Sequence, residues 1–157
     1  MQDLRPDWRY VADTVMGGVS RGQSEAVVID GRPATRLTGT VSLENDGGFL
    51  QIATDLAPET GPLDASGWTG LELDLHGNGE IYEVRVKTSD LTRPWQSYRA
   101  AVAVPPQWTT VRIPFADLER YRTDVPLDLS ELRRLGLVAV GREFEADLAV
   151  AGLRLYR

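Results

Sequence analysis

Residues 71–86 read LELDLHGNGEIYEVRV, and this stretch decides the fold class. Apolar side chains alternate with polar ones on both sides of an Asn-Gly pair: Leu71, Leu73 and Leu75 before it, and Tyr82, Val84 and Val86 after it. Such alternation predicts strands with one buried face, and Asn78-Gly79 predicts a two-residue type I′ turn. The sequence therefore predicts an antiparallel hairpin whose apolar side chains all face the core.

The predicted register also pairs the charged side chains of this hairpin. Glu72 comes opposite Arg85, which is favourable, but Asp74 comes opposite Glu83, and like charges directly opposite one another are destabilising. Two interpretations remain: both carboxylates extend into water, or a cation or a nearby arginine lies between them. On the second interpretation Asp74 and Glu83 are candidate ligand contacts.

Short strands of the same kind are predicted along most of the chain, at residues 26–29, 34–43, 49–54, 95–104, 108–115, 137–140 and 144–156. Turn signals separate them, and Pro105-Pro106 is one example. Only residues 116–121 and 130–135 favour a short helical turn. About eight to ten short strands with almost no helix predict an all-β fold, a mostly antiparallel β-sandwich of the jelly-roll type, with a closed barrel as the alternative.

The size and composition are those of one globular domain. A chain of 157 residues buries about 68 to 70% of the surface that it exposes when unfolded, which is enough for an independent core. We therefore expect a single β-sandwich domain over residues 1–157, with the polar residues 1–7 as a terminal arm. The chain has no cysteine, which excludes disulfides and thiolate chemistry.

The charge balance restricts the classes of partner. The formal net charge is −6, and among the 17 basic side chains only Lys87 is a lysine. Bulk nucleic-acid binding is not expected, because that affinity comes from neutralising phosphates with a basic face. We find no signal-peptide pattern at the N-terminus and no apolar run of about 18 residues. We therefore expect a soluble, cytoplasmic protein that does not span a membrane.

Residues 13–22 read DTVMGGVSRG and are predicted to form a loop, because adjacent glycines disfavour a helix. Two interpretations stay open. In the first, backbone N–H groups of the loop form an anion-binding nest, and the candidate binding residues are Gly17, Gly18, Ser20 and Arg21. In the second, the glycines let two backbone segments approach each other while apolar side chains seal the end of the core, namely Val15, Met16 and Val19.

The sequence offers few groups for catalysis. Catalysis needs a positioned nucleophile or an acid and a base, and the one histidine, His76, lies beside the predicted turn. Nucleophile-elbow, phosphate-loop, dinucleotide-binding and zinc-protease motifs do not occur. The oxygen-rich turn Asn45-Asp46 leaves a structural Ca²⁺ ion as an alternative, but EF-hand spacing is missing. We therefore expect a protein that is not an enzyme and that has no cofactor or catalytic metal.

Aromatic and arginine side chains favour a binding function. Trp95 and Arg99 fall on one face of their predicted strand, and Tyr98 falls on the other face with the apolar residues. Aromatic residues and arginine are common anchors of protein interfaces, and flat aromatic rings also stack on sugars. Core packing is the alternative for each single tryptophan.

Several motifs occur in an order that resembles a known family. They are DTVMGGVSRG at 13–22, GTVSLENDGGF at 39–49, GNGEIY at 77–82 and WTTVRIPF at 108–115. Together they resemble the complex I intermediate-associated protein 30 family, and the resemblance runs from Trp8 to Tyr156. It implies a galactose-binding-like jelly roll, and the strand at 108–115 is shared more loosely with carbohydrate-binding modules of that class.

The resemblance implies assembly rather than catalysis, because the family's best-known members hold assembly intermediates of respiratory complex I. The expected partner is a protein, an assembly intermediate of a respiratory or other membrane complex. The expected binding edge combines the Gly17-Gly18 loop, the turn from Asn45 to Phe49, and the face with Trp95 and Arg99.

A carbohydrate-binding module is the alternative that the same class of fold leaves open. In that case a concave sheet face binds the sugar, and the candidate contacts are Trp95, Tyr98, Asp74 and Glu83. Two departures from the family pattern affect what it implies: Asn78 stands where the family often has Asp, and residues 140–144 lack a frequent Gln-Ala-Gly run. A loop that could contact a partner therefore differs here.

Overall fold

The computed structural model describes residues 1–57 and 61–157, without the side chains of Val15, Met16 and Asp46. The predicted sealing of the core by Val15 and Met16 therefore lies outside the described residues. The described part forms twelve strands: β1 (Gln2–Asp3), β2 (Arg9–Ala12), β3 (Arg21–Ile29), β4 (Arg32–Val41), β5 (Phe49–Asp55), β6 (Gly70–His76), β7 (Ile81–Thr88), β8 (Ser97–Ala103), β9 (Thr109–Pro114), β10 (Glu119–Tyr121), β11 (Leu132–Val140) and β12 (Phe144–Tyr156). Four 3-10 turns accompany them: Asp13–Met16, Glu44–Asp46, Phe115–Asp117 and Leu129–Glu131.

The strands form two antiparallel sheets. In sheet I the order is β3-β4-β12-β6-β9, and β1 pairs with the end of β12. In sheet II the order is β10-β8-β7-β11-β5-β2. The two sheets stack as a jelly-roll sandwich, so the predicted all-β class is confirmed, and the described strands do not close into a barrel.

The core lies between the sheets and is built from the alternating apolar positions. Leu71, Leu73 and Leu75 of β6 are fully buried on one side, and Val84 and Val86 of β7 are fully buried on the other. Burying one such side chain stabilises a fold by about 1.5 to 3 kcal/mol. The period of two in the sequence therefore identified the core faces of both strands.

The predicted hairpin between β6 and β7 is wrong. β6 pairs with β9 and β12 in sheet I, whereas β7 pairs with β8 and β11 in sheet II. The segment between them crosses from one sheet to the other, and its backbone N–H groups at Gly77 and Gly79 donate to Pro105 and Val104. Asn78 accepts a hydrogen bond from the Tyr82 hydroxyl at 2.6 Å instead of forming a hairpin turn.

This crossing also corrects the predicted cross-strand pairs. Glu72 does not face Arg85, and Asp74 does not face Glu83, because the members of each pair lie on the outer faces of opposite sheets. The prediction of which side chains face the core is still correct, because both strands direct the predicted alternate positions toward the core.

Three element boundaries also differ from the prediction. Trp95 lies outside β8, which begins at Ser97. The predicted helical turn at 116–121 is a 3-10 turn at Phe115–Asp117 followed by β10, and the one at 130–135 is a 3-10 turn at Leu129–Glu131 followed by β11. The N-terminal arm adds β1 to β12, and Leu4 N–H donates to the Leu153 carbonyl at 2.9 Å.

Candidate functional site: the outer faces of the two sheets

A buried carboxylate organises the first glycine-rich loop. Asp13 is 0% exposed, and its oxygens accept hydrogen bonds from Ser20 Oγ at 2.5 Å, Gly48 N at 2.6 Å, Ser20 N at 3.0 Å and Phe49 N at 3.2 Å. Two loops far apart in sequence are therefore joined at one side chain. We call Asp13, Gly18, Ser20, Gly47 and Gly48 the Asp13 cluster.

The glycines of the Asp13 cluster make room for this carboxylate. A Cβ atom on Gly18 would lie 2.4 Å from Asp13 Cγ, and one on Gly47 would lie 2.5 Å from Asp13 Oδ2. Burial acts to raise the pKa of Asp13, but the hydrogen bonds from Ser20, Gly48 and Phe49 outweigh it and hold the pKa below its ordinary value. The cluster therefore holds an ionised, fully hydrogen-bonded group inside the fold.

The five candidate residues of the two loops occupy different environments. Gly18 and Ser20 are buried against Asp13. Gly17 is exposed with φ at 86°, and Asn45 is exposed with φ at 56°. Arg21 is exposed at the start of β3. The hydroxyl of Ser20 already bonds to Asp13, so it is not positioned to bind an anion.

Asp74 belongs to a dense group of ion pairs on the outer face of sheet I. The guanidinium of Arg154 donates to both oxygens of Asp74 at 2.9 Å and to Glu72 Oε1 at 2.8 Å. Asp74 also accepts from Thr110 Oγ1 at 2.8 Å and from Arg32 at 3.0 Å. The Arg154 guanidinium and these further donors hold the pKa of Asp74 well below its usual range.

The neighbouring charges on the same face are paired as well. Arg112 donates to Glu72 at 2.8 Å, and Arg36 forms a bidentate pair with Asp147 at 2.6 and 2.9 Å. Glu72, Asp74 and Asp147 are thus neutralised by arginines of adjacent strands, whereas Glu145 accepts a hydrogen bond from the Thr40 hydroxyl. Asp74 therefore has its hydrogen-bonding capacity used within the protein.

The outer face of sheet II has a different charge pattern, which follows from the register of its strands. One row across the sheet contains Arg9, Ala53, Gly136, Arg85, Arg99 and Glu119. The next row contains Asp55, Arg134 and Lys87 on β5, β11 and β7, and then Ser97 and Tyr121 on β8 and β10. A third row contains Val11, Gln51, Val138, Glu83 and Ala101.

Two like-charged pairs lie directly opposite one another in these rows. Arg85 faces Arg99, and Lys87 faces Arg134. Glu83 lies between the first two, with contacts of 2.7 Å to Arg85 and 3.4 Å to Arg99. We call Arg85, Lys87, Arg99 and Arg134 the basic face of sheet II.

Tyr121 completes one end of the basic face. The guanidinium of Arg99 lies 3.7 Å from the centre of the Tyr121 ring, and that of Arg85 lies 5.2 Å from it. Arginines at these distances from an aromatic ring are attracted to its face. Glu83 and Arg99 were candidates from the sequence, and the structure places them together here.

The remaining sequence candidates separate. Trp95 is 54% exposed in the loop before β8, with the Arg93 guanidinium 5.9 Å from its ring. Tyr98 is 0% exposed in the core, and its hydroxyl donates to the Val125 carbonyl at 2.8 Å. The Asp13 cluster lies at the β5 end of sheet II, three strands from β8. The predicted continuous edge of both loops with Trp95 and Arg99 is therefore not formed.

Sequence reasoning missed the residues that define both surfaces. From the sequence, Asp13 is only the first residue of a predicted loop. The one sequence signal for its burial is the two Gly-Gly pairs, at 17–18 and 47–48, because glycines leave space for the side chain of another residue. Lys87 and Arg134 become neighbours only through the pairing of β7 with β11. A pocket of about 280 Å³, lined by Arg5, Arg9 and Arg134 with Asp7 and Asp55, adjoins the same rows.

Several aromatic rings are covered by an arginine. The guanidinium of the covering arginine lies within 5 Å of the ring centre in five cases: Arg32 on Trp108, Arg99 on Tyr121, Arg112 on Tyr156, Arg142 on Phe144 and Arg157 on Trp68. These ring faces are therefore occupied from within the protein. No three His, Asp or Glu side chains among residues 1–57 and 61–157 are placed to hold a metal ion.

The fold is that of jelly-roll carbohydrate-binding modules. A family 11 carbohydrate-binding module of a cellulosomal cellulase of Clostridium thermocellum superposes with a TM-score of 0.76 at 14% identity, over 99% of this chain and 94% of the module. The family 11 module from Clostridium thermocellum in complex with a beta-1,3-1,4-mixed-linked tetrasaccharide gives a TM-score of 0.74 at 16% identity, over 99% and 95% of the two chains. A family 30 module of a Clostridium thermocellum cellulosomal cellulase gives 0.70 at 17%, over 99% and 94%.

Within this class of fold the sequence identifies the family. The family model described as complex I intermediate-associated protein 30 (CIA30) matches residues 2–150. The chain therefore belongs to the CIA30 family, and the resemblance read from its motifs is confirmed. None of the curated proteins matches the sequence. In residues 1–57 and 61–157, we find no helix with the length and apolar character needed to cross a membrane.

Proposed function

We propose that this chain is a non-enzymatic binding domain that holds a protein partner during the assembly of a respiratory or other membrane complex. Its membership of the family named for association with a complex I intermediate supports this function. The observation that carries the proposal is the contrast between the two outer faces. On sheet I the carboxylates of Glu72, Asp74 and Asp147 are paired with arginines, whereas on sheet II Lys87 and Arg134 lie opposite each other and form no ion pair among the described residues.

The shape of the outer face of sheet II also supports a protein partner. Ala101 has a small, exposed side chain in the row beside Arg85 and Arg99, so the backbone of a partner can approach the sheet closely at this position. Arginine and aromatic residues are enriched at protein interfaces, and here Arg99 and Tyr121 lie in contact.

Affinity capture from the native host tests this function. The bait is the full chain, and Ala101→Trp adds a bulky side chain to the outer face of sheet II without removing a charge. Gln23→Trp is the matched control, because Gln23 is exposed on β3 in sheet I. We expect the wild type and Gln23→Trp to recover subunits of a membrane complex, and Ala101→Trp to lose them.

The opposite results would contradict the proposal. Failure of the wild type to recover any membrane-complex subunit, together with normal levels of respiratory complexes in a deletion strain, would remove the assembly function. Equal recovery by Ala101→Trp would remove sheet II as the binding surface.

Carbohydrate binding is the second candidate, and the specific observation in its favour is the exposed Trp95 on a fold shared with carbohydrate-binding modules. The covering of Trp68, Trp108 and Tyr121 by arginines counts against it, because a sugar ring stacks on an open aromatic face. Titration calorimetry with soluble mixed-linkage glucan oligosaccharides distinguishes the two candidates. Saturable binding that is lost in Trp95→Ala would make carbohydrate binding the main function.

A further inference from the structure

We infer that the basic face of sheet II binds an acidic peptide segment of the protein partner, with carboxylates of that segment lying over Lys87 and Arg134. This inference rests on the proposed function and names the chemistry of its partner. It starts from the charge count of the face. Arg85, Lys87, Arg99 and Arg134 form two neighbouring like-charged pairs in a protein whose net charge is −6.

Internal neutralisation of this face is incomplete. Glu83 serves both Arg85 and Arg99 with one carboxylate. Lys87 Nζ donates to the Pro94 carbonyl, which carries no full charge. Asp55 is the cross-strand neighbour of Arg134, but among the described residues no ion pair to Arg134 or to Lys87 is formed. The Lys87–Arg134 pair is therefore the part of the basic face that an anion would stabilise most.

The surroundings of Lys87 show the effect of this crowding. Burial, with the positive charges of Arg134 and Arg85, lowers the pKa of Lys87. Beside Lys87, the Ser97 hydroxyl is buried and has no hydrogen-bond partner within the described part of the chain. A bound carboxylate would relieve the repulsion between Lys87 and Arg134.

The width of sheet II fits an extended peptide. Six strands at about 4.8 Å spacing make the sheet roughly 24 Å wide, which corresponds to about seven extended residues. Ala101 is exposed and has a small side chain, so it leaves open space on this surface. The pocket at the β2 side of the sheet contains Asp7 and Asp55 as well as arginines, and Asp7 pairs with Arg9, so we expect the carboxylates of the peptide over the Lys87–Arg134 pair and not in this pocket.

Arginine and the net charge together favour an acidic peptide over other anions. Guanidinium groups match carboxylates in a bidentate geometry. A long nucleic acid extends beyond the basic face and meets the rest of a protein whose net charge is −6, whereas a short acidic peptide stays on the basic face. A neutral sugar has no negative charge that could pair with Lys87 and Arg134.

Fluorescence anisotropy of labelled peptides tests the inference. The probe is a Glu- and Asp-rich peptide of about seven residues, and its control replaces every Glu with Gln and every Asp with Asn. The protein variants are Arg134→Gln and the control Arg112→Gln, which removes one positive charge from the outer face of sheet I instead. Thermal unfolding of both variants checks that they are folded.

We expect saturable binding of the acidic peptide, weaker binding at high salt, and an affinity loss of about tenfold in Arg134→Gln. Arg112→Gln should stay within about twofold of the wild type. Equal binding of the neutral peptide, an unchanged affinity in Arg134→Gln, an equal loss in Arg112→Gln, or tighter binding of heparin or single-stranded DNA than of the peptide would each overturn the inference. If the peptide does not bind while affinity capture still recovers a partner through sheet II, the proposed function stands and this inference falls.

Discussion

Lys87 lies directly opposite Arg134 across β7 and β11, on the outer face of sheet II. Like charges in directly opposed positions of a sheet are destabilising, so this pair weakens the fold that contains it. In the neighbouring Arg85–Arg99 pair, Glu83 lies between the two positive charges and weakens their repulsion. The repulsion between Lys87 and Arg134 is therefore the stronger of the two.

Removing one charge of this pair should therefore stabilise the protein. We expect Arg134→Gln to raise the free energy of unfolding by about 0.5 kcal/mol, measured by urea denaturation at low salt. High salt should reduce the gain, because screening weakens the repulsion in the wild type. A loss of stability in Arg134→Gln would show that the arginine serves the fold and not a partner.

The adjacent Gly17 and Gly18, of which only Gly18 belongs to the Asp13 cluster, should differ sharply in their tolerance of a methyl group. Gly17 has φ at 86° and open space around its Cβ direction, so Gly17→Ala should cost about 1 kcal/mol of backbone strain. Gly18→Ala places its Cβ 2.4 Å from Asp13 Cγ and should cost about 3 kcal/mol, since the buried carboxylate has no free space to move into. Chemical denaturation of both variants measures the difference, and equal losses would refute this role of Gly18.

The pH dependence of stability should report the two buried carboxylates. The folded pKa values of Asp13 and Asp74 lie below their ordinary values, so the unfolded chain binds more protons below pH about 4. Stability should be nearly constant from pH 7 to about 5 and should fall as the pH decreases from about 4 toward the folded pKa values. Asp13→Asn should lower stability at pH 7 by about 2 to 4 kcal/mol, because its amide group cannot accept every backbone donor, and should flatten the acid limb. An acid limb as steep as that of the wild type would argue against an ionised Asp13.

Arg154 should be the most sensitive residue on the outer face of sheet I. It is the partner of both Glu72 and Asp74, so Arg154→Gln removes the main counter-charge of a buried aspartate and should cost about 3 to 5 kcal/mol. Arg112 is more exposed and pairs with Glu72 but not with Asp74, so Arg112→Gln should lower the free energy of unfolding much less. Urea midpoints measure both losses. Similar small losses would mean that the ion pairs of sheet I do little for stability and that Asp74 is open to other ligands.

The sequence predicted strand faces well, because burial on one side imposes a period of two whichever strand lies next to it. Leu73 and Val84 show this, because both are buried even though their two strands do not form the predicted hairpin. Strand partners are decided by long-range contacts instead. Asn78-Gly79 suits a tight turn, but the N–H groups of Gly77 and Gly79 donate to the Pro105 and Val104 carbonyls, and the chain passes from one sheet to the other.

The candidate site was harder to predict than the fold for the same reason. The rule that like charges directly opposite one another are destabilising was applied to Asp74 and Glu83, which lie on opposite sheets. Lys87 and Arg134 are one of the pairs to which the rule applies, and they become neighbours only because β11 lies beside β7. Arg99 and Glu83 were found because charged residues on the polar side of a strand stay at its surface. Tyr98 was misjudged as a ligand contact, since its hydroxyl is satisfied inside the fold by Val125.

Site-specific photocrosslinking in the native host tests the central claim, that sheet II presents the partner-binding surface of an assembly protein. A photoreactive side chain is introduced at Ala101 on sheet II or at Gln23 on sheet I, and crosslinked products are identified by mass spectrometry. The account predicts a crosslink from Ala101 to a subunit of a membrane complex and none from Gln23. The same subunit crosslinked from Gln23 and not from Ala101 would contradict it.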